Sequence, residues 1–408
     1  MRVAYILDFA PTYVLRELAE MAESGRCSPV AVLPADSSVA EFWKGISGAQ
    51  EESLDVLEIP YTNLLTCAAG RLLRQTVPIL LRYSLRHPVK MLNVLRMALE
   101  EGCFRYFCAG ALVADALRER EVELHHAHFA KDAAHVARWA SLLDDIPYTV
   151  TTHARDIFVP ESSDRLRQLL QAADRVVTIS DFNAGYIEEQ LGGEIASNVE
   201  VIRLGVSPKR LPKRSPDGSG VVCVASGLAE KKGVHVLLEA ARLLASRGVR
   251  PKVTVIGEDR DGVELDRCRR AVESGPLKGM LLFPGMLPSA ETLKALASAE
   301  LCVMPSVRAL DGDMDGIPVA LMEAAAMGTP MVATRLSGIP ELVVDGETGL
   351  LAEPGDPASL ADAIGRALER PGDMAAMAER ARGMVEERFN SIRNAGRLID
   401  LFERVIGS

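Results

Sequence analysis

VVCVASGLAEKKGVHVLLEAARLLASRGVRPKVTVIGE (Val221–Glu258) decides the fold. Two Val-rich apolar runs, VVCVAS and KVTVIGE, bracket a segment whose apolar residues recur at helical spacing. Strand, helix and strand in that order predict a parallel βαβ unit. The rhythm continues downstream through MLLFPG, ETLKALASAE, LCVMPS, IPVALMEAAAMG and PMVATR, and it runs upstream from RVAYIL to VEVIRLG. Two doubly wound α/β domains are therefore expected. Between them SPKRLPKRSPDGSG (Ser207–Gly220) carries Pro208, Pro212 and Pro216 and no apolar period, which predicts a linker. The expected divisions are residues 1–206, a linker at 207–220, a second domain at 221–390, and a final helix at 391–408 that caps the second domain or crosses back to the first. Ligands of such sheets sit beyond the carboxyl ends of the strands, here expected between the domains.

The bulk numbers narrow the class. The chain has 408 residues, 48% hydrophobic and 25% charged, enough for two full cores. A net charge of −10 argues against nucleic acid as a partner. Seven Cys, odd in number and scattered, do not make a disulfide framework, and Cys103 and Cys108 lack a second pair for a metal. Reduced thiols and a cytoplasmic location fit best. The start, MRVAYILDFAP, has Asp8 inside its apolar run and no cleavage region, so it reads as a first strand. No apolar run reaches the roughly 18 residues of a membrane span. Asn63–Arg120 departs from the rhythm: it is helical in period, interrupted by Pro78 and Pro88. Arg71, Arg74, Arg82, Arg86, Lys90, Arg96 and Arg105 stand there against Glu100 and Glu101. Two readings follow, a helical layer with a solvated basic face or peripheral contact of 71–105 with an anionic membrane.

DGDMDGIPVALMEAAAMGTP (Asp311–Pro330) holds the chemistry. Pro318 is expected at the first helical position, with Ile317 as an N-cap that offers no side-chain oxygen. The amides of Val319, Ala320 and Leu321 then need an acceptor, and a phosphate would serve. Glu323 lies roughly 8 Å further along the helix, which suits the hydroxyls of a ribose. Read on their own, the residues allow an equal alternative: Asp311, Asp313 and Asp315 as loop solvators and Glu323 paired with an Arg. A calcium loop is a poor match, because the closing Glu is missing. His126 and His128 share one face of a strand without a third ligand, so no metal is expected.

Asp315-x7-Glu323, followed by GTPMVATRLSGIPELVVDGETGLLAEPGD (Gly328–Asp356), resembles the signature of retaining nucleotide-sugar glycosyltransferases of family 4. That family has the GT-B architecture, two Rossmann-like doubly wound domains facing across a cleft. HAHFA (His126–Ala130), TTHARDI (Thr151–Ile157), ISDFNAGYI, VIRLGV and EKKGVHVLLEA have counterparts at the expected places, and the chain looks most like bacterial exopolysaccharide and colanic-acid enzymes. The resemblance implies that His153 and Asp315 are catalytic, reaching the donor sugar, with Asp315 one methylene shorter than the family Glu. It puts Glu323 on the ribose and Lys232 on the diphosphate, with Gly227 where the family has an Arg. Lys231, Arg308 or Arg335 would have to replace that Arg. Gly257, Gly285 and Met286 would admit the base. Gly316, Ile317, Pro318, Val319 and Ala320 would face the phosphates, and Pro11, Thr12, His126 and His128 the acceptor. The implied activity is transfer of a hexose from a UDP or GDP sugar, or another nucleoside-diphosphate sugar, to a saccharide or lipid-linked acceptor. Configuration is retained, no metal or cofactor takes part, and the departing phosphate takes the acceptor proton. The setting is polysaccharide biosynthesis, cytoplasmic and peripheral to the membrane. Gly227 and Asp315 also admit a non-catalytic partner protein with weakened donor binding, and the fold admits a nucleotide-sugar epimerase.

Overall fold

The computed structural model describes residues 1–9, 11–34, 55–60, 65, 69–218, 220–259, 261–273 and 275–408. Asn63, where the basic segment is expected to begin, lies outside the described residues, as do Ser219 and the side chain of Arg71. The chain forms two compact units, one of Met1–Ile179, Ala184–Ile202 and Ser391–Ser408, the other of Ser180–Asn183 and Arg203–Asn390. The expected boundary at 206 is thus corrected in two places, and long-range bonding gives the reason. Glu341, the acid of the GIPE turn, accepts from the Phe182 amide at 2.9 Å and from the Arg203 guanidinium at 2.6 Å, and Arg203 also pairs with Asp181. These contacts draw Ser180–Asn183 and Arg203 into the second unit. Residues 207–220 are not a free linker either: Arg214 donates to the carbonyls of Ala297 (2.7 Å) and Ala299, and the Ser215 amide donates to Ala297 at 3.0 Å.

The first unit is built on a parallel sheet of β1 (Arg2–Ile6), β2 (Ser28–Pro34), β3 (Asp55–Ile59), β4 (Leu124–His128), β5 (Tyr148–Thr152), β6 (Arg175–Thr178) and β7 (Val199–Val201). Among the described residues its order is β3-β2-β1-β4-β5-β6-β7. The order reverses between β1 and β4, where the carboxyl ends of a doubly wound sheet leave a crevice. The helix Ser391–Ile406 buries Ala395, Leu398, Ile399 and Phe402 against Leu15, Leu18 and Met21 of the helix Thr12–Glu23. That spacing of apolar residues makes one helical face.

Three helices, Ala69–Arg86, Pro88–Glu100 and Phe104–Leu117, cover the basic segment. Pro78 does not interrupt the first of them. It sits on the exposed side, where water can take the carbonyl that loses its partner. The inner faces pack Leu72, Ile79, Met91, Val94 and Phe107 around Trp139. Gly110 lets the helix Phe104–Leu117 close on the helix Asp132–Asp144, since a Cβ there would stand 2.6 Å from Trp139 Cβ and 2.8 Å from the Ala140 nitrogen. The outer faces are apolar rather than uniformly basic. Leu73, Val77, Leu81 and Leu85 recur every fourth residue and are exposed, and Val89, Leu92 and Leu99 continue the stripe on the next helix. Arg82 pairs with Asp115, Lys90 with Asp145 and Arg96 with Glu100.

The second unit repeats the scheme with β8 (Val221–Val224), β9 (Val253–Ile256), β10 (Leu281–Gly285), β11 (Leu301–Met304), β12 (Met331–Thr334) and β13 (Leu350–Ala352), in the parallel order β10-β9-β8-β11-β12-β13. Its core joins Val221, Cys223, Val255, Val303 and Val332 to Leu237, Ala241, Leu360 and Ile364 of flanking helices. Strands buried on both faces read as the continuous apolar runs seen in the sequence. The reversal here falls between β8 and β11.

Candidate functional site

Beyond the end of β8 the chain turns through Gly227, with φ +82°, and Leu228, with φ +38°. A left-handed backbone favours Gly, so the conformation accounts for the residue that stands where an Arg is expected. One 3-10 turn, Glu230–Lys232, follows. Gly233 then passes so close to β11 that a Cβ would lie 1.8 Å from the Pro305 carbonyl oxygen. This close passage brings both lysines of the turn to the acidic loop. Lys232 donates to both oxygens of Asp315 at 2.9 Å, and Lys231 lies 3.1 Å from Asp313 and 3.6 Å from Asp315. The Ser306 hydroxyl donates to Asp315 at 3.3 Å. Asp313 and Asp315 are therefore buried and paired, not loop solvators; only Asp311 is exposed. Of the three bases considered as replacements for the Arg, Lys231 is the one gathered here. Arg335 turns to Asp345 and Glu353, and Arg308 is exposed.

Four residues beyond Asp315 a helix opens, Val319–Met327. Pro318 is its N-cap rather than its first residue, with φ −59° and ψ 130° and no side-chain cap. Its carbonyl accepts from the Leu321 amide at 3.0 Å, so Leu321 is already satisfied. Among the described residues, the amides of Val319 and Ala320 have no acceptor in the chain. Ile317 is buried against Gly338, and Gly316 is half-buried. Glu323 is the one half-buried residue in a helix body otherwise buried from Ala320 to Met327. At the neighbouring strand ends, a Cβ on Gly257 would meet the Ala225 carbonyl oxygen at 2.1 Å, Gly285 has φ +89°, and Met286 is exposed. The second unit thus joins two cations, a helix N-terminus with open amides and a carboxylate about one and a half turns in.

The first unit gathers a different set at the carboxyl ends of β1, β4 and β5. Pro11 caps the helix Thr12–Glu23 as Pro318 caps the other, without a side-chain bond, and Thr12 is exposed. His153, just beyond β5, is buried; its amide donates to Asp156 at 3.1 Å, and Asp156 also accepts from the Ala130 amide at 2.9 Å. Its ring stacks on Phe129, centroids 4.1 Å apart, and Phe129 stacks in turn on Phe9 at 4.6 Å. Phe129 has φ +67°, a backbone state that costs a non-glycine residue free energy and clusters at functional sites. His153 Nε2 lies 3.0 Å from His128 Nδ1, and His128 Nε2 lies 3.0 Å from Glu17 Oε1. Burial, and then the neighbouring His128, push the His153 pKa well below the usual imidazole value.

His126 and His128 are both fully buried, which corrects their expected place on an acceptor-lining surface. His126 has Nδ1 2.8 Å from the Thr149 hydroxyl and Nε2 3.1 Å from that of Thr151, and it packs on Phe402. Glu17 supplies the third ligand atom that the sequence did not reveal, since it, His126 and His128 bring such atoms within 4.8 Å of one another. Every ring nitrogen of the two histidines already has a protein partner, so hydrogen bonds account for the cluster. Asp8 is a further residue not foreseen. One of its oxygens accepts from the Ala133 amide at 2.9 Å and the other is buried without a hydrogen-bond partner among the described residues. Burial, opposed by that amide and helped by Asp132, pushes its pKa up from 3.8 to about 7.

Two family models match the chain, "Glycosyl transferases group 1" over residues 208–384 and "Glycosyltransferase Family 4" over residues 64–210. A Salmonella typhimurium protein named for glycosyl transfer in colanic acid biosynthesis is 38% identical over 198 residues, 48% of each chain. The chain spans about half the length of the curated relatives it matches. Among solved structures, sucrose-phosphate synthase from Thermosynechococcus elongatus superposes with a TM-score of 0.74 at 17% identity, over 100% of this chain and 99% of the other. Anabaena HepE, in complex with UDP and glucose, gives 0.71 at 21% identity over 99% and 100%. At those identities the likeness speaks to the fold, which is GT-B.

Proposed function

We propose that this chain, which belongs to the group 1 glycosyl transferases, moves a hexose from a nucleoside-diphosphate sugar to a saccharide or lipid-linked acceptor in exopolysaccharide synthesis. The observation that carries the reading is the pairing of Lys231 and Lys232 with Asp313 and Asp315, a few residues before the open amides of Val319 and Ala320. Departure of a nucleoside diphosphate builds negative charge on phosphate oxygens while the sugar gains oxocarbenium character. Fixed cations and uncapped amides stabilise that charge without reorganising at the moment of reaction. Lys231 takes the place that Gly227 leaves without a side chain. Glu323 accepts from ribose hydroxyls, and His153 and Asp315 orient the donor sugar. Configuration is retained, the leaving phosphate accepts the acceptor's proton, and no metal takes part. HepE, whose complex holds UDP and glucose, supports UDP as the first nucleotide to try.

Thermal unfolding with UDP, GDP, ADP and dTDP tests the site. A diphosphate at about 100 times its Kd adds about 2.7 kcal/mol to the state that binds it. A shift with one of the four that disappears in Glu323→Ala supports donor binding and names the base. No shift with any of them makes the non-catalytic partner the better reading, and a turnover product epimerised rather than transferred would point to the epimerase.

A second reading concerns where the reaction takes place. Leu85 is 86% exposed, Val89 72% and Leu92 67%, on a stripe flanked by Arg74 and Arg86. Singly exposed apolar residues are ordinary, but a run of seven along two helices is not. Among the described residues no helix is long and apolar enough to cross a membrane. We assign the stripe to the headgroup boundary of an anionic bilayer on its cytoplasmic side. Co-sedimentation with phosphatidylglycerol vesicles should be lost in Leu85→Glu/Leu92→Glu. Equal pelleting of parent and variant would refute it.

A further inference from the structure

Glu17 lies on the helix Thr12–Glu23, His128 ends β4 and His153 follows β5, yet their polar atoms form one line. A carboxylate can only accept, so Glu17 Oε1 takes the Nε2–H of His128. The same oxygen lies 3.2 Å from the Tyr5 hydroxyl, a second donor. With its proton on Nε2, a neutral His128 has only the lone pair of Nδ1 to offer, and His153 Nε2 stands 3.0 Å away. His153 must then donate from Nε2 and keep Nδ1 as an acceptor. The backbone of His153 is fixed independently by its amide on Asp156, and the ring by its stack on Phe129. The line is thus free to set the proton without also having to hold the residue.

We infer that Glu17 and His128 are positioning residues that hold His153 in the Nε2–H tautomer, with no proton on Nδ1. The tautomer follows from the hydrogen-bond line alone; its effect on turnover rests on the role proposed above for His153. His126 stands outside the line, since both its nitrogens are spent on Thr149 and Thr151.

Histidine-selective 15N labelling of the full chain reads each ring nitrogen as protonated or bare. The chain has seven His, and the His153 pair is assigned as the signals lost in His153→Gln. The expected spectrum has Nε2 protonated and Nδ1 bare. Glu17→Gln, which keeps an accepting oxygen, should leave that pattern and the turnover unchanged. Glu17→Leu should mix the two tautomers and lower kcat on the order of tenfold with the donor KM held, as loss of an orienting partner does. A proton on Nδ1 of His153 in the parent protein overturns the inference, even if Glu17→Leu fails to fold. An unchanged His153 pattern in a folded Glu17→Leu overturns it too. The expected tautomers without any transfer activity would count against the transferase reading alone.

Discussion

Asp315→Asn separates two jobs that one carboxylate performs. In the chain as it stands, Asp315 holds Lys232 through both oxygens at 2.9 Å and takes part of Lys231 at 3.6 Å. Two lysines face two buried aspartates, so the cluster is balanced. Breaking a buried pair by removing one partner costs about 3–5 kcal/mol. The lysine side chains are 17% and 19% exposed and Asp313 stays 3.1 Å from Lys231, so water and the remaining acid soften the loss. About 2 kcal/mol is the working figure, which lowers the unfolding midpoint of the second unit by about 4–8 °C. The substitution also releases Lys232 from a competitor for phosphate. If about 1.4 kcal/mol of pairing no longer has to be surrendered, the nucleoside diphosphate that stabilises the parent should bind about tenfold tighter. Turnover should nevertheless fall, because the proposed partner of the donor sugar is gone. Differential scanning fluorimetry and titration calorimetry on parent and variant read both effects. An unchanged midpoint, or weaker diphosphate binding, would show that Asp315 does not hold Lys232 in reserve, and the reasoning would fail.

The folded-state pKa of Asp8 is raised, so the folded chain keeps a proton that the unfolded chain releases, and stability drains as pH climbs from about 4 to about 7. At about 1.36 kcal/mol per pH unit the loss is bounded near 4 kcal/mol, and about half of that is the working figure, since the Ala133 amide still bonds the carboxyl. Asp8→Asn should therefore unfold later than the parent at pH 8 and no later at pH 4; a gain independent of pH would sink this account. Gly110→Ala should destabilise by about 1–2 kcal/mol despite the better helix former, because the new methyl meets backbone, and a midpoint higher than the parent's would contradict the close crossing with Trp139. Equimolar zinc should leave the unfolding midpoint unchanged, whereas a rise abolished by His126→Ala would mean that the Glu17, His126 and His128 cluster is a metal site.

The layered architecture was readable because strands buried on both faces leave uninterrupted apolar runs, and those runs do not depend on remote partners. What depended on remote partners was not readable. Whether Asp313 and Asp315 solvate a loop or close on lysines is decided by Lys231 and Lys232, some eighty residues earlier in the chain. The assignment of Arg203 to the second unit rests on Glu341, 138 residues away. Pro318 was misplaced by one residue for a local reason: the φ that the ring enforces suits an N-cap and a first helical residue alike, and the ψ of 130° that separates them leaves no mark in the sequence. The burial of His126 could have been anticipated. Parallel register sets it opposite Thr149, and His128 opposite Thr151, on strands that both read as internal.

The two units share a local device and use it differently. Each has a helix whose N-cap is a proline with no side-chain bond, Pro11 in one and Pro318 in the other. Each carries a glutamate about one and a half turns in, Glu17 and Glu323. Nothing in the two local sequences predicts different fates for these carboxylates. β4 ends in His128, a donor, so Glu17 is spent inside the protein on fixing an imidazole proton. The helix of Glu323 is otherwise made of Val, Leu, Met and Ala, and from Ala320 to Met327 Glu323 is its one half-buried residue, beyond amides that lack an acceptor among the described residues. If that contrast is functional, Glu17→Leu should alter the pattern of ring protonation without touching diphosphate binding. Glu323→Ala should do the reverse. A single variant that moved both readouts would mean that the two carboxylates do not act separately.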